Sequence, residues 1–476
     1  MNKLKKILND RGSIKKVGVL GMGYVGIPSA ALFADHFDFV LGFQRDSPGS
    51  GYKIEMLNNG ENPLKGEEPG LDELIKKIRT AGRFECTSDF SRIEEVDAVT
   101  LAIQTPFKDN VSLEPDFGAL VEGLEQVGRY LTEGMLVVLE STITPGTTRG
   151  MASNILNEES GFVAGEDFAL AHAPERVMVG RLIKNIQEHD RIVGGINNES
   201  TQRAIELYGP VLTEGKIIAM DSTAAEVTKT AENTFRDLQI AAINELALYC
   251  ETMKINVYDV RAGIDSLKGE GITRAVLYPG AGVGGHCLTK DTYHLERGAR
   301  MGGGLDFPEK LESIYVVARK INDFMPHHMY NLTVEALSRI GKKLKESKIA
   351  ILGWAFINNS DDTRNTPSEP YFDLIREEGA DVSVHDPYVS ISDKIKFAQN
   401  LEEAVKGATA IVIFTGHKQF MGLNAGKIKK LTGLKHPVII DGRNIIDPDA
   451  FIKEGFVYKG IGRGDKNYHA INFYDH

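Results

Sequence analysis

Short, continuously apolar runs alternate with helical patterns in the first part of the chain. The runs are VGVL near residue 18, FVLG near 39, AVTLAI near 98, MLVVLE near 135 and FALAHA near 168. Runs without polar alternation are typical of parallel strands whose two faces are both covered by helices. The pattern therefore predicts βαβ units that build a parallel sheet.

The pattern changes after about Ser222. A long helical stretch runs through Cys250, a glycine-rich loop follows at 279–285, and a further helix is predicted from about Phe307 to Ile340. Strand and helix alternation then returns, with apolar runs at 348–353, 381–387, 408–415 and 437–441. The sequence thus predicts an α/β fold of two Rossmann-like, doubly wound parallel-sheet domains joined by a long-helix central domain. The predicted domains are residues 1–215, 216–330 and 331–476.

The composition is that of an ordinary globular protein: 476 residues, 42% hydrophobic and 25% charged, enough for two or three domains. Acidic residues outnumber basic ones by 66 to 55, and the net charge of −11 argues against a surface for nucleic acid or anionic membrane. Three widely spaced cysteines, Cys86, Cys250 and Cys287, form neither a disulfide framework nor a structural zinc motif. With no apolar run of signal-peptide or membrane-span length, we expect a cytoplasmic protein.

The first motif with chemical content is GMGYVG, which follows the strand KVGVL and opens a helix. Gly21 permits a tight turn, Gly23 lets the backbone approach a pyrophosphate, and Gly26 allows close helix packing. The motif therefore predicts a dinucleotide site, although a strand-to-helix turn that binds no ligand would show the same sequence pattern. Its residues are Gly21, Met22, Gly23, Tyr24, Val25 and Gly26.

The end of the second predicted strand lacks the acidic residue that commonly binds the ribose hydroxyls. Gln44 stands there and can hydrogen-bond a ribose hydroxyl, whereas Arg45 can pair with a 2′-phosphate. Asp46 is a displaced acidic alternative, and Arg45 can equally be a solvated loop charge. The sequence leaves NAD and NADP open.

Glycines crowd the segment before Cys287, which reads PGAGVGGHCLTKD. So little side-chain bulk lets a ligand approach the sulfur closely, and the thiolate would be favoured by Lys290 or a protonated His286. Asp291 can orient a water or take a proton if the segment after Cys287 is helical. The alternative is a buried, inert thiol. A metal role for these side chains is weaker, because no second ligand pair at zinc spacing exists.

Four further residues have both a chemical and an ordinary interpretation. Lys229 and Asn233 lie four apart in a predicted helix, so an ammonium and an amide donor share a face suited to an oxyanion. Each can instead be a solvated surface group. Glu175 in HAPERV ends a predicted strand and can act as a base, a salt-bridge partner or a cap. Thr142 in ESTITPGTT also ends a strand and can cap the helix that follows.

Together these motifs resemble the nucleotide-sugar 6-dehydrogenases, the UDP-glucose and GDP-mannose dehydrogenase group. The resemblance also includes TPF (105–107), NE (244–245), GWAF with DDTR (353–364), HDP (385–387) and DGRN (441–444), so it covers nearly the whole chain. PERV, ENTFRD and PGAGVGGHC are most similar to the branch that acts on UDP-N-acetylmannosamine.

The resemblance implies a four-electron oxidation of a sugar C6 alcohol to a carboxylate with two NAD in succession. It implies that Cys287 forms a thiohemiacetal and then a thioester, with Lys229 and Asn233 stabilising the oxyanion. Asp291 would assist proton transfer through water, and Glu175 would help to hydrolyse the thioester. The cofactor site would also include Thr105, Pro106 and Thr142.

The resemblance further places the UDP-sugar in the C-terminal domain, near Arg364 and Arg443. Arg274 would reach a neighbouring subunit's substrate across a homodimer built on the central helix. Arginine suits such bidentate contacts, although each of the three can be a surface ion pair. The other implied substrate-binding residues are Glu175, Arg176, Lys229, Asn233, Gly284, Gly285 and Phe356.

Several residues depart from the family pattern, namely Gln44, Val179, Thr289 and Ile357. The hypothesis is an NAD-dependent UDP-N-acetylhexosamine dehydrogenase that makes an aminouronate for a surface polysaccharide or glycan. UDP-N-acetylmannosamine is favoured, with the glucosamine and galactosamine epimers open, because pocket geometry decides such choices. The alternatives are a two-electron NAD(P)-dependent hydroxyacid dehydrogenase and a non-catalytic nucleotide-binding protein.

Overall fold

A computed structural model describes residues 3–64, 68–108, 114–177, 180–267, 276–285, 287–301, 312–390 and 394–464. The chain forms two compact units. The N-terminal unit comprises residues 1–232 and 293–306, and the C-terminal unit comprises 233–292 and 307–476. The three-domain boundaries expected from the sequence stay a prediction.

The N-terminal unit contains an eight-stranded sheet in the order β3-β2-β1-β4-β5-β6-β7-β8. All neighbouring strands are parallel except β6 and β7, which pair antiparallel with Ala171 opposite Gly195. The order reverses between β1 and β4, which is where a doubly wound sheet opens a ligand crevice. The strands are β1 (Lys16–Leu20), β2 (Phe39–Phe43), β3 (Phe84–Thr87), β4 (Ala98–Leu101), β5 (Leu136–Leu139), β6 (Ala169–His172), β7 (Arg191–Gly195) and β8 (Ile217–Asp221).

Helices cover both faces of this sheet, which explains its continuously apolar strands. In β5, Leu136 and Val138 pack into the core on one face, while Val137 and Leu139 pack into the core on the other. The helices are α1 (Lys3–Arg11), α2 (Gly26–His36), α3 (Tyr52–Asn58), α4 (Leu71–Thr80), α5 (Gly118–Arg129), α6 (Ser153–Ser160), α7 (Leu182–Glu188) and α8 (Asn198–Tyr208).

Long helices occupy the middle of the chain. The longest of those described is α9 (Ser222–Thr252), with 31 residues. The helices that follow are α10 (Val257–Asp265), α11 (Asp291–Met301) and α12 (Ile314–Arg339). α12 contains Pro326 in its interior.

The C-terminal unit contains a five-stranded parallel sheet in the order β10-β9-β11-β12-β13. Its strands also bury both faces: Ala410 and Val412 of β11 face one core, Ile411 and Ile413 the other. The strands are β9 (Lys348–Leu352), β10 (Asp381–His385), β11 (Ala410–Ile413), β12 (Val438–Asp441) and β13 (Val457–Gly460). The helices are α13 (Ser368–Glu377), α14 (Leu401–Val405), α15 (Lys418–Met421), α16 (Ala425–Thr432) and α17 (Pro448–Lys453).

The predicted α/β fold with two doubly wound sheets and a helical middle is confirmed. It differs from the prediction at the β6–β7 pair, where antiparallel pairing needs no right-handed crossover. None of the helices in the described part of the chain combines the length and apolar character that a membrane crossing requires.

Candidate active site

The GMGYVG turn between β1 and α2 uses its glycines for different reasons. Gly21 has φ +96°, and a Cβ there would lie 2.7 Å from the carbonyl oxygen of Ala102. A Cβ at Gly26 would lie 2.0 Å from the carbonyl oxygen of Gly21. A Cβ at Gly23 would have no neighbouring atom within 4 Å. Packing therefore requires the first and third glycines, whereas the second leaves the backbone open to a ligand.

A cavity of about 330 Å³ lies at the carboxyl ends of β1 and β4, where the strand order reverses. Its lining includes Gly21, Met22, Gly23, Gln44, Arg45, Ile103 and Gln104. The position, the open backbone at Gly23 and the adjoining start of α2 fit the pyrophosphate of a dinucleotide. These residues would hold NAD.

Gln44 supports the glycine turn from the end of β2. Its Oε1 accepts a hydrogen bond from the backbone N of Met22 at 3.1 Å, and its Nε2 donates to Ser50 Oγ at 3.1 Å. Lys53, which the sequence did not single out, donates to the Met22 carbonyl at 2.9 Å. Arg45 forms an ion pair with Glu122 of α5. The cation that sequence reasoning associated with a 2′-phosphate thus has a carboxylate partner.

The TPF and TITPG segments are joined to each other. The Thr105 hydroxyl donates to the Thr142 carbonyl at 2.6 Å. Thr144 Oγ1 lies 3.2 Å from His294 Nδ1, and the His294 ring stacks on Phe107 at 5.8 Å. Sequence reasoning missed His294, because it is about 150 residues away from the segment that it contacts.

Glu175 is nearly buried and pairs with Arg191 at the start of β7. Arg191 also donates to Glu140 at 2.9 Å, and its guanidinium lies over the Tyr208 ring at 4.2 Å. The Tyr208 hydroxyl donates to Glu140 at 2.7 Å. One cation therefore holds two buried carboxylates. Sequence reasoning missed Arg191, whose only signal is a charge directly before the buried run IVGG.

Lys229 and Arg176 also belong to the N-terminal unit. Lys229 lies in α9 and is 7% exposed, so it is not the solvated surface charge of the alternative interpretation. Arg176 is 3.4 Å from Glu232 and donates to the carbonyl of Asp190. Its guanidinium has protein partners on two segments.

Cys287 of the C-terminal unit is exposed, whereas Cys250 of the same unit and Cys86 of the N-terminal unit are buried. Burial raises the pKa of the Cys86 thiol to about 12, which leaves that thiol unreactive. Exposure of Cys287 favours the nucleophile over the inert thiol that a lone cysteine more often is.

The buried side chains of Lys290 and Asp291 and the half-buried Asn233 form a polar group close to Cys287 in the chain. The Asn233 amide donates to Asp291 Oδ2 at 2.5 Å, and the Lys290 ammonium donates to Asp291 Oδ1 at 3.1 Å. The backbone N of Asp291 donates to the Cys287 carbonyl at 2.9 Å, which begins α11 as a turn. Residues 287–290 thus form a turn rather than a helix, and the proton-transfer role of Asp291 stays a prediction.

The glycine segment before Cys287 is held by contacts that leave no room for side chains. Added Cβ atoms at Gly284 and Gly285 would lie 2.5 and 2.7 Å from side-chain atoms of Phe356. The backbone N of Gly285 donates to the Arg364 carbonyl at 2.8 Å. Phe356 thus covers the segment that leads to the sulfur.

Two more predicted substrate residues lie near this segment. The Arg364 guanidinium donates to Asp362 Oδ1 at 2.8 Å. Arg443 Nη1 lies 3.3 Å from the Cβ position of Gly280, and its backbone N donates to Asp441 at 2.9 Å. Arg274 and Val179 lie outside the described residues.

Asn244 anchors the start of the glycine segment. Its Oδ1 accepts from the backbone N of Gly280 at 2.9 Å, and its Nδ2 donates to Asn322 at 2.9 Å. The NE pair at 244–245 signalled this residue, but not its buried amide partner. Among the described residues, no group of three His, Cys, Asp or Glu side chains could hold a metal ion.

The doubly wound sheets and the glycine turn define a dinucleotide-binding α/β protein with an exposed thiol. Three segments match one family, the UDP-glucose/GDP-mannose dehydrogenase family: its NAD binding domain at 15–212, its central domain at 223–316 and its UDP binding domain at 350–448. The UDP-N-acetyl-D-mannosamine dehydrogenase of Pyrococcus horikoshii is 37% identical over 94% of this chain and 100% of that protein. The chain belongs to this family and is an NAD-dependent nucleotide-sugar dehydrogenase.

Solved structures of relatives have the same fold. The NDP-N-acetyl-D-galactosaminuronic acid dehydrogenase from Methanosarcina mazei Go1 is 70% identical, with a TM-score of 0.91, and the match covers 98% of this chain and 99% of that one. The UDP-D-ManNAc dehydrogenase from Pyrococcus horikoshii is 36% identical, with a TM-score of 0.84, and covers 94% and 100%.

Proposed function

We propose that this enzyme oxidises C6 of a UDP-N-acetylhexosamine to the carboxylate through a covalent intermediate on Cys287. The observation that carries the proposal is the exposed thiol of Cys287 at the end of the glycine segment. Asp291, which accepts a hydrogen bond from Asn233, follows four residues later in the chain. NAD, when bound, supplies the oxidant for both steps and takes up one hydride in each. Per substrate, one CH₂OH group, one water and two NAD give one carboxylate, two reduced NAD and three protons.

Cys287 holds the substrate between the two oxidations. Its sulfur adds to the C6 aldehyde, so that a C–S bond forms and the oxygen gains a proton in the thiohemiacetal. The second oxidation leaves a thioester, and water then cleaves the C–S bond and returns the thiol. Because the sulfur is exposed, it must stay reduced, which favours a cytoplasmic enzyme.

The neighbouring side chains are assigned to charge and proton movement. Asn233 and Lys229 are proposed to stabilise the negative charge that develops on the C6 oxygen. Asp291 is proposed to accept a proton through water, and Glu175 to activate the water that hydrolyses the thioester. Thr142 is proposed to lie beside the reacting groups, since its carbonyl is tied to Thr105 next to the cofactor segment.

The sugar is proposed to be UDP-N-acetylmannosamine first, because relatives at 37% and 32% identity carry that name. The galactosamine epimer is the second candidate, since the structure that is 70% identical is an NDP-N-acetyl-D-galactosaminuronic acid dehydrogenase. The test is a panel of the three UDP-N-acetylhexosamines with NAD, in which the product is identified by mass spectrometry and NMR. Uronate from one epimer at two reduced NAD per sugar supports the proposal.

The Cys287→Ser variant separates the proposal from its alternatives. Covalent catalysis predicts that this variant loses net uronate formation, whereas a two-electron hydroxyacid dehydrogenase would keep its turnover. Undiminished uronate turnover in Cys287→Ser would refute the thioester route. No reduction of NAD by the wild type across the panel would favour a nucleotide-binding protein without catalysis.

The enzyme is proposed to form a homodimer through α9. In this helix, a stripe spaced by four and three residues carries mostly apolar side chains, and Phe235 and Tyr249 are more than half exposed. The stripe comprises Phe235, Gln239, Ala242, Leu246 and Tyr249, and the exposed Met253 follows directly after the end of the helix. Light scattering of Tyr249→Glu is expected to give a monomer. The control Tyr52→Glu changes a similarly exposed tyrosine outside the stripe and should stay dimeric.

A further inference from the structure

A buried histidine and carboxylate meet at the switch point of the second sheet. Asp386 directly follows β10, and His417 follows β11, while β9 lies between these two strands. His417 is fully buried and Asp386 is 5% exposed. His417 Nε2 lies 3.0 Å from Asp386 Oδ2. No step of the proposed reaction uses this pair.

The pair holds the turn at residues 353–359, which leaves β9. Asp386 Oδ2 accepts from the backbone N atoms of Trp354 at 2.7 Å and Ala355 at 2.9 Å. His417 Nδ1 accepts from the backbone N of Asn359 at 2.8 Å. One carboxylate and one imidazole thus fix both ends of a single turn.

The hydrogen bonds determine the tautomer of His417. Because Nδ1 accepts a hydrogen bond from the Asn359 backbone N–H, the neutral ring carries its proton on Nε2, and this N–H donates a hydrogen bond to Asp386. Both ring nitrogens are therefore occupied by the protein. A side chain that supplies only one of these bonds leaves either the Asn359 backbone N–H without its acceptor or Asp386 Oδ2 with two donors in place of three.

The turn carries Phe356, which covers the glycine segment before Cys287. The Phe356 ring fills the space where side chains would stand at Gly284 and Gly285, and its backbone N donates to the Asp362 carbonyl at 3.0 Å. In open α/β sheets, ligands bind outside the carboxyl ends of the strands at the switch point. The pair therefore lies beneath the part of the UDP binding domain where a nucleotide is expected.

We propose that His417 and Asp386 are positioning residues that fix the 353–359 turn, and with it Phe356, for binding of the UDP moiety. The proposal rests on the proposed function, in which a UDP-sugar is the substrate. It assigns to the pair no contact with the substrate.

The test uses two variants of the full-length enzyme that each keep one of the two bonds. His417→Asn keeps an acceptor near the Nδ1 position, and His417→Gln keeps a donor near the Nε2 position. Both are expected to weaken UDP binding in calorimetry by about fivefold or more, as loss of one buried hydrogen bond predicts. The KM for the UDP-sugar should rise in parallel, while the KM for NAD stays within about twofold.

Trp354 gives a direct optical readout of the turn. It is the only tryptophan of the chain, it is buried, and its backbone N is bound by Asp386. Its emission is expected to shift in both His417 variants. The matched control is His436→Asn, which alters a half-buried histidine of the same unit. The Nδ1 atom of His436 lies 3.1 Å from the Gly455 carbonyl, and both residues are remote in sequence from the 353–359 turn. The control should leave the emission and UDP affinity unchanged.

UDP affinity within twofold of wild type in both His417 variants would overturn the proposal. An equal rise in the KM for UDP-sugar and NAD, together with lower thermal stability, would also overturn it, because that result describes a purely structural pair. UDP binding needs no turnover, so failure of the Cys287 mechanism leaves this test intact. Conversely, the wild type can make uronate while the His417 variants bind UDP normally. That combination would reject only the positioning role and would leave the proposed function standing.

Discussion

Arg191 forms an ion pair with Glu175, and both side chains are almost completely buried in the N-terminal unit. Since Arg191 also donates to Glu140, its removal leaves two buried carboxylates without their cation. Loss of one partner of a buried ion pair typically costs about 3–5 kcal/mol. We therefore expect Arg191→Met to lower the free energy of unfolding by that amount in urea denaturation.

Arg203→Met is the matched control for this prediction. Arg203 is equally buried and pairs with Glu206, but the Glu206 side chain is 36% exposed and can be hydrated when the arginine is removed. The decrease in the free energy of unfolding should therefore be clearly smaller for Arg203→Met than for Arg191→Met. Equal destabilisation by the two substitutions would contradict the role of Arg191 as the shared partner of buried carboxylates.

His172 makes the stability of the enzyme sensitive to acid. Burial lowers the pKa of His172 to about 3, whereas an unfolded histidine titrates near 6.5. Below about pH 6.5 the unfolded chain therefore binds a proton at His172 that the folded state does not bind. The contribution of His172 to the free energy of unfolding is complete above pH 6.5 and is lost as the pH falls toward 3. Between pH 7.5 and 5.5 the loss amounts to about 1.4 kcal/mol.

The His172→Gln variant isolates this effect, since all other groups titrate in both proteins. Urea denaturation at pH 7.5 and 5.5 should show that the wild type loses about 1.4 kcal/mol more than the variant over this interval. An identical pH dependence in the two proteins would contradict this prediction, because it would show that His172 takes up its proton at the same pH in the folded and the unfolded state.

Glu122 is expected to limit the use of NADP. Its carboxylate pairs with Arg45 at the rim of the cofactor cavity, where a 2′-phosphate would need the guanidinium. We predict that Glu122→Gln raises kcat/KM with NADP roughly fivefold, about 1 kcal/mol, with little change for NAD. Glu125→Gln, on the same helix but paired with Arg129, should change neither value. No gain with NADP would mean that Arg45 does not face the ribose.

The glycine turn offers a contrast between binding and packing. Gly23→Ala adds a methyl group where no protein atom lies within 4 Å, so thermal stability should hold while the KM for NAD rises. Gly26→Ala places its methyl group 2.0 Å from the Gly21 carbonyl, and such overpacking costs about 1–3 kcal/mol. Calorimetric melting and NAD kinetics of both variants check this. A Gly23→Ala variant with lower thermal stability and a normal KM for NAD would contradict the conclusion that the backbone at Gly23 is open to the cofactor.

Most of the strands that the sequence predicted are buried on both faces, although β10 begins with an exposed and two half-buried residues. β8 was missed because it is an edge strand whose residues are partly or fully exposed, so it lacks a continuous apolar signal. β3 and β7 were not predicted either, although β7 is buried throughout. β13 was missed because the short run VYKG includes Lys459, which is buried and pairs with Glu335. Polar residues inside a strand hide it from an apolar pattern, and only tertiary pairing explains them.

The site shows the same limit. The glycine turn, Cys287, Asn233 and Asp291 were singled out from a local motif or the resemblance, whereas the hydrogen bond between Asn233 and Asp291 was not predicted. Arg191, Glu122 and His417 were not singled out, since their partners Glu175, Arg45 and Asp386 lie 16, 77 and 31 residues away and only the fold brings them together. Local motifs therefore identify the chemistry, whereas the groups that position it emerge from the fold.

The most direct test of covalent catalysis is the mass of acid-quenched enzyme during turnover with NAD and the UDP-sugar. The Glu175→Gln variant is used because slow hydrolysis should let the thioester accumulate. Covalent catalysis predicts a mass increase equal to one UDP-uronyl group, mapped to Cys287 by peptide analysis and absent in Cys287→Ser. Uronate formation by an enzyme that never carries this adduct, with full turnover in Cys287→Ser, would contradict it.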